Sequence, residues 1–418
     1  MIVLDLSRLI SRAQRDTPTG IDRVELAYAQ HLIANRADLG FAAMTLWGRL
    51  GSVPRAAAEA YVAAIGRVWR GDSGGKQPRR LAYRLRVEPL WRGAVALPAR
   101  MRSAVEKPVY LLVSHHHLEK RRVIARLKAR GRASFVCLIH DLIPIEFPEY
   151  AVPGQAGKHR RRIETAAALA DALIVNSRAT RDALQPYLDR AGRAPPVLVA
   201  PFGVSLPDLP ATGSIETPYF VCISTIEARK NQLLLLNLWR RIVEERGAQA
   251  PRLFLIGRRG WETENTLDML ERCPRLRGIV VERSHLTDIG MVRLLKGARA
   301  LLLPSFAEGF GFPLVEALAL GVPALCSNIG ALRENGGAVP EYFDPLDGPG
   351  WRTAILDYSP AASPRRDAQL RRLAGWQPAS WQDHFAAVGP LIAEAAARAC
   401  GRAASVEAGP PVPQSQAR

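Results

Sequence analysis

Pro304-Ser305-Phe306-Ala307-Glu308-Gly309-Phe310-Gly311-Phe312-Pro313-Leu314-Val315-Glu316-Ala317-Leu318 decides the fold. The apolar run 300–303 just before it reads as a buried strand. Two glycines then make a loop. Pro313 fits the first turn of a helix, where its missing N–H costs nothing, and Gly321 ends that helix. Backbone N–H groups at such a start point outward and, with the helix dipole, favour an anion such as a phosphate. Gly309, Phe310, Gly311 and Phe312 occupy that place. Glu308 stands at the carboxyl end of the strand, where ligands of open α/β sheets bind, and Glu316 lies about one turn into the helix. Charge gives these carboxylates no advantage beside a phosphate. They accept hydrogen bonds from hydroxyls, which sugars and riboses offer. The plainer alternative is that both acids only complement the helix dipole.

Outward from this stretch the same strand-then-helix order repeats. Apolar runs occur at 2–6, 109–113, 135–139, 172–176 and 197–200, and again at 219–223, 253–256, 279–281, 300–303 and 323–326. They are β-branched or Leu-rich without clean alternation, as expected of strands buried on both faces of a parallel sheet. Helical spacing puts Ile21, Val24, Tyr28 and Leu32 on one face, and Ile289, Val292 and Leu295 on another. This alternation, twice over, predicts an α/β fold of two Rossmann-like, doubly wound domains facing across a cleft. The divide is expected within 202–218, which carries prolines and glycines but little periodicity, giving domains at 1–205 and 206–375. Segment 49–102 is less legible and reads as an insertion in the first domain. Residues 401–418, rich in Ala, Gly, Pro, Ser and Gln, are expected to be disordered. Before them, Ser380 and Asp383 are spaced like a helix start. Trp381, Phe385, Val388, Leu391 and Ile392 then form an apolar face, in a helix ending near 399, that must bury against something.

Hydrophobic residues at 48% and charged ones at 23% fit an ordinary soluble protein with material for two cores. The net charge of +18 means attraction to polyanions: nucleic acid, anionic lipid or phosphorylated substrates. It is locally dense at 67–107, at 120–132 and at Lys158-His159-Arg160-Arg161-Arg162. A merely solvated basic surface explains it equally well. No nucleic-acid recognition module accompanies the charge, so no nucleic-acid partner is expected. The five cysteines include no CxxC pair, and Cys137, Cys222 and Cys326 sit in apolar runs, reading as buried thiols of a reducing compartment. Residues 1–6 are too short and too soon charged for a signal peptide, and no run approaches a spanning helix. A cytoplasmic protein is expected, with peripheral contact to an anionic membrane at the inner face of the plasma membrane.

Three further sites carry chemistry. Gly20 lies where the chain enters a helix, so its missing side chain lets a ligand approach the backbone; alone it is also consistent with a turn. His140 ends the strand 135–139 and so faces the crevice, although a lone histidine is more often structural. Arg229 and Lys230 stand at a helix start, a poor place for cations unless an anionic ligand sits there; two cations there can clamp a diphosphate.

The run Glu308 to Glu316, an E-x7-E inside an EGFG-P context, resembles the signature of retaining glycosyltransferases of family 4, which have the GT-B fold. The resemblance extends along nearly the whole chain. It takes in Thr19-Gly20-Ile21-Asp22-Arg23-Val24-Glu25, His140-Asp141-Leu142-Ile143-Pro144, Ser224-Thr225-Ile226-Glu227-Ala228-Arg229-Lys230-Asn231 and Leu255-Ile256-Gly257-Arg258-Arg259-Gly260-Trp261. One departure is Ser224-Thr225, where many members carry Gly-Arg; a phosphate contact there is lost or passes to Arg229.

The resemblance implies a nucleotide-sugar donor on the second domain and a glycan or lipid-linked acceptor on the first. It makes Glu308 and His140 the catalytic pair, with Glu308 on the donor-sugar hydroxyls. It makes Gly20, Arg229, Lys230, Gly309, Phe310, Gly311, Phe312 and Glu316 donor-binding, with Glu316 on the ribose. Asp141 orients its loop. The final helix, 376–399, is implied to cross back onto the first domain. The wording of the motifs looks most like bacterial mannosyltransferases of O-antigen, capsule or exopolysaccharide synthesis, using GDP-mannose. No Asp-x-Asp, His/Cys metal spacing or G-x-S-x-G occurs, so no metal and no cofactor are expected. The alternatives are a sugar-nucleotide epimerase or phosphorylase on the same fold, or a non-catalytic nucleotide-binding partner in a glycan-assembly complex.

Overall fold

A computed structural model describes residues 1–72, 76–87, 108–131, 133–207, 217–284 and 286–407. Its strands are β1 (Ile2–Asp5), β2 (Leu39–Met44), β3 (Leu50–Val53), β4 (Val109–Leu112), β5 (Ser134–Ile139), β6 (Ala172–Val175), β7 (Val197–Val199), β8 (Tyr219–Ile223), β9 (Arg252–Ile256), β10 (Val280–Arg283), β11 (Leu301–Leu303), β12 (Ala324–Ser327) and β13 (Glu341–Phe343). They form two sheets, ordered β3-β2-β1-β4-β5-β6-β7 and β10-β9-β8-β11-β12-β13. Every pairing is parallel except β2 with β3. Central strands such as β5 are buried along their whole length, because helices cover both faces of each sheet. The chain order reverses beside β1 and β4 in one sheet, and beside β8 and β11 in the other. Open α/β sheets bind ligands at such switch points.

Three strands escape the apolar pattern. β2 has its apolar run diluted by Gly40 and two alanines, β3 is a half-buried edge strand, and β13 has no buried residue. The described part of the segment read as an insertion at 49–102, residues 49–72 and 76–87, belongs to the first domain's core. After β3, helix Arg55–Arg70 buries Tyr61, Val62, Ile65, Val68 and Trp69, and helix Lys76–Val87 packs on it. The many Arg residues hid this: they line the outer face of helices whose inner face is apolar. Residues 88–107 and the divide at 208–216 lie outside the described residues.

The last helix, Trp381–Glu407, begins with the Ser380 hydroxyl accepting the Asp383 N–H at 3.0 Å. It lies on β4, β5 and β6 of the first sheet. It runs beyond the expected end at 399 and through 401–407, where disorder was expected. Arg402, Ala403 and Ala404 are good helix formers and favour continuing a helix already formed. Residues 408–418 lie outside the described residues. Among the described residues, no helix is long and apolar enough to cross a membrane, and Cys137, Cys222 and Cys326 are buried free thiols.

Candidate active site

The loops after β8 and β11 meet at the switch point of the second sheet. After β8 the chain makes a one-turn 3-10 helix, Ala228–Lys230, and Asn231 follows at φ +55° to start helix Gln232–Arg246. Asn tolerates this left-handed backbone better than most residues. Its Nδ2 donates to the carbonyls of Pro304 (3.2 Å) and Pro345 (2.9 Å), so it ties the loop to the end of β11. That places Arg229 and Lys230 against Glu308. Lys230 Nζ lies 2.6 Å from Glu308 Oε1, Arg229 Nη1 lies 3.4 Å from Oε2, and the Ser305 hydroxyl donates to Oε1 at 2.7 Å. Arg229 also meets Glu227 at 2.6 Å. Burial pushes the Glu308 pKa up, but Lys230 and Arg229 outweigh it, and the carboxyl sits below its ordinary range. Burial and the neighbouring Arg229 pull the Lys230 ammonium down against the pull of Glu308. Lys230 has three donors, of which this ion pair uses one.

Helix Phe312–Ala319 starts at Gly311, whose φ of +87° suits glycine; a Cβ there would come within 2.4 Å of Leu332. Gly309 is required for a different reason. A Cβ on it would lie 2.7 Å from the His140 carbonyl oxygen and 3.0 Å from Asp141 Cβ. The Glu308–Gly309 loop therefore abuts the loop after β5 of the first domain, and the Ser177 hydroxyl, at 3.3 Å from the Gly309 carbonyl, adds a second link. The structure thus brings Glu308, Arg229, Lys230 and Gly309 together beside His140-Asp141. Asp141 accepts the Ile143 N–H at 3.2 Å and so shapes its loop.

The His140 ring is turned inward. It is buried, its Nε2 is 2.8 Å from the Val113 carbonyl, and it packs near His115 and Phe202. Burial pulls its pKa down to about 4, so the ring is neutral, and with Nε2–H donating to Val113 only Nδ1 remains for a ligand. The residue faces the crevice mainly through its backbone. The space at Gly20 is filled: a Cβ there would come within 3.0 Å of Phe312. The side chains of Phe310 and Phe312 are likewise turned to the first domain, which leaves their backbone amides for a ligand. Their rings stack on Phe202 of the first domain, Phe312 parallel to it at 5.5 Å and Phe310 edge-on at 5.0 Å. Rings in a loop facing another domain gain most by burying there.

Glu316 is buried and points to a separate pair. Burial raises its pKa, while the Arg23 guanidinium of the first domain draws it back down. Arg23 makes a two-pronged bond with Asp288 of the second domain at 3.1 and 2.6 Å. The two acids of the E-x7-E stretch therefore each face a cation, but different ones. The Arg23–Asp288 pair has no sequence signal, its partners being 265 residues apart. The capping box of Thr19 and Asp22, in contrast, was open to view in the S/T-x-x-D spacing.

Residues 217–355 match the family model "Glycosyl transferases group 1". The chain carries a glycosyl transferase group 1 domain. The O-antigen chain mannosyltransferase B of Escherichia coli is 35% identical over 165 residues, which is 40% of this chain and 43% of that protein. The serotype-specific mannosyltransferase WbdA of E. coli is 25% identical over 224 residues, 49% of this chain and 27% of that protein. The matches thus span less than half the length of these curated relatives. Among solved structures, HepE of Anabaena in complex with UDP-glucose superposes with a TM-score of 0.57 at 16% identity, covering 97% of this chain and 99% of that one. The two Rossmann-like domains adopt the GT-B fold.

Proposed function

We propose that this protein is a retaining glycosyltransferase that moves a hexose, with mannose from GDP-mannose the best match, onto a glycan or lipid-linked acceptor in surface polysaccharide synthesis. The observation that carries this reading is Glu308 held by Lys230 and Arg229 at the switch point of the second sheet, facing His140-Asp141 across the cleft. The names of the E. coli relatives support mannose and O-antigen. The acceptor hydroxyl attacks the anomeric carbon on the face from which the diphosphate departs. The new C–O bond forms as the sugar–phosphate bond breaks, and the leaving phosphate oxygen takes the hydroxyl proton. Arg229, Lys230 and the amides opening helix Phe312–Ala319 stabilise the charge growing on that oxygen. Glu308 accepts from sugar hydroxyls and Glu316 from the ribose. Exposed Lys120, Arg121, Arg122, Arg126, Arg160 and Arg161 suit contact with anionic lipid at the inner face of the plasma membrane.

The test is to incubate the protein with a panel of nucleotide sugars and follow nucleoside diphosphate release and the anomer formed. Turnover of GDP-mannose with retained configuration is expected; inverted product, or no nucleotide sugar bound at all, overturns the reading. Lys230→Ala is expected to weaken nucleoside diphosphate binding by about 10- to 100-fold, the worth of one hydrogen bond to a charged group. Calorimetry showing unchanged binding would contradict the clamp. EDTA is expected to leave turnover intact, because protein cations and amides meet the diphosphate. Activity lost on chelation and restored by manganese would show that a metal takes that part.

A further inference from the structure

The crevice side of the first domain holds more guanidinium charge than its acids balance, and the donor site described above uses none of it. Arg8, Arg12 and Arg15 come from helix Ser7–Ser11 and the turn after it, at the carboxyl end of β1. Arg258 reaches that turn from the second domain, its Nη2 donating to the Thr17 carbonyl at 2.9 Å. The turn is pinned by Trp69 Nε1, which donates to the Arg15 carbonyl at 2.9 Å.

The acids nearby offset only part of this charge. Asp22 Oδ1 takes Arg8 Nε at 2.8 Å, while its Oδ2 is occupied by the Thr19 N–H and hydroxyl at 2.9 and 2.7 Å. Arg12 Nε stands off at 3.4 Å, shut away from solvent and without a hydrogen-bond partner. Glu25 is fully buried, and burial pushes its pKa well above the ordinary range although Arg8 draws it down. Asp16 is exposed and turned to Arg79 at 3.6 Å. The Arg15 side chain forms no ion pair among the described residues. Burial lowers the Arg12 pKa, and Arg8 and Arg15 lower it further; burial and Arg15 do the same to Arg258. Guanidiniums crowded in this way gain from an oxyanion placed between them, which each can meet with a charge-assisted fork. Because Arg258 comes from the second domain to meet the turn at Thr17, the cluster lies where the two domains meet.

We propose that Arg8, Arg12, Arg15 and Arg258 form a second oxyanion site, which holds a phosphate carried by the acceptor. Only the word acceptor rests on the glycosyltransferase reading; the site itself does not. Because Arg258 belongs to the second domain, filling the site also draws the two domains together.

The test uses the full chain saturated with GDP or UDP, whichever calorimetry shows to bind, so that the Arg229–Lys230 clamp is filled. Inorganic phosphate is then titrated in and followed by phosphorus NMR. One further equivalent is expected to bind. Arg12→Gln/Arg15→Gln is expected to weaken it by about tenfold or more, and Arg258→Gln to weaken it too, while nucleotide affinity holds. Should the double variant fail to fold, Arg258→Gln, in a loop of the other domain, still decides. Lys230→Ala should leave the phosphate equivalent in place. A hexose 1-phosphate and vesicles containing phosphatidic acid, run as competitors, separate a soluble phosphorylated acceptor from a lipid-borne one. No further equivalent in the wild type, equal affinity in the arginine variants, or competition by neither probe overturns the proposal. Failure of every nucleotide sugar to turn over would instead sink the transferase reading and leave the phosphate titration standing.

Discussion

Glu308→Gln is expected to lower turnover by about 10²- to 10³-fold, the range seen when one preorganised electrostatic group is removed from a reacting centre, while the protein stays folded. The substitution keeps the shape of the side chain and removes its charge. Glu308 Oε1 takes both the Lys230 ammonium at 2.6 Å and the Ser305 hydroxyl at 2.7 Å. An amide cannot serve all of these donors with oxygen, and whichever way it turns, an N–H faces a donor. Lys230, already pulled down by burial, then loses the counter-charge that draws its pKa up. The cost in stability is about 1–3 kcal/mol for a buried polar group left badly matched, read as a lower melting midpoint without loss of cooperativity. The pH dependence has a definite sign. The folded-state pKa of Glu308 is depressed, so its contribution is present above the ordinary carboxylate range and is lost as pH falls through the depressed value. The variant lacks that acid-side loss. Turnover within about twofold of wild type would remove Glu308 from the reacting centre, since an electrostatic role there is worth far more.

The parts of this site that were legible in the sequence are those whose geometry is local. Strand, glycine loop, Pro313 and helix follow one another within twenty residues, so the place of Glu308 and Gly311 follows from backbone rules alone. Arg229 and Lys230 are legible for the same reason: two cations at a helix start call for an anion, read from the sequence as a diphosphate, and the fold also sets Glu308 against them. What was not legible depends on the meeting of the two domains. Nothing in the chain near Phe310 or Phe312 says that Phe202 lies opposite. The glycine at position 20 announces room but not that a phenylalanine takes it. His140 shows the limit most sharply. Its position at the end of β5 follows from the strand, but the direction of its ring is set by the Val113 carbonyl on the neighbouring strand's end, and no spacing rule carries that.

Ending the chain after Gly375 is expected to unfold the first domain, although every residue removed follows the second in sequence. Helix Trp381–Glu407 buries Val388, Ile392 and Ala395 in the same core as Leu4, Tyr28 and Leu111, with Trp381, Phe385 and Leu391 packed at its margin. At about 1.5–3 kcal/mol for each large apolar side chain fully buried, Val388 and Ile392 with the partly buried aromatics approach the 5–15 kcal/mol by which a whole domain is stable. Polar contacts fix the seat. The Ser134 hydroxyl donates to the Ala395 carbonyl at 2.8 Å. His384 lies 3.0 Å from the Pro201 carbonyl through Nδ1 and 2.7 Å from the Tyr28 hydroxyl through Nε2. Burial pulls its pKa down to about 4, so the ring is neutral, donates from Nδ1 and accepts from Tyr28. The approach is close enough that a Cβ on Gly203 would lie 2.1 Å from the Trp381 backbone nitrogen. A milder probe separates seating from bulk loss. His384→Ala leaves the Tyr28 hydroxyl and the Pro201 carbonyl without their partner, at about 1–3 kcal/mol for each buried group left unpaired. Its melting midpoint should fall while nucleoside diphosphate binding, proposed here for the second domain, is kept. A chain ending at Gly375 that melts cooperatively at the wild-type midpoint and retains full turnover would show that this helix is an attachment and not part of the first domain's core.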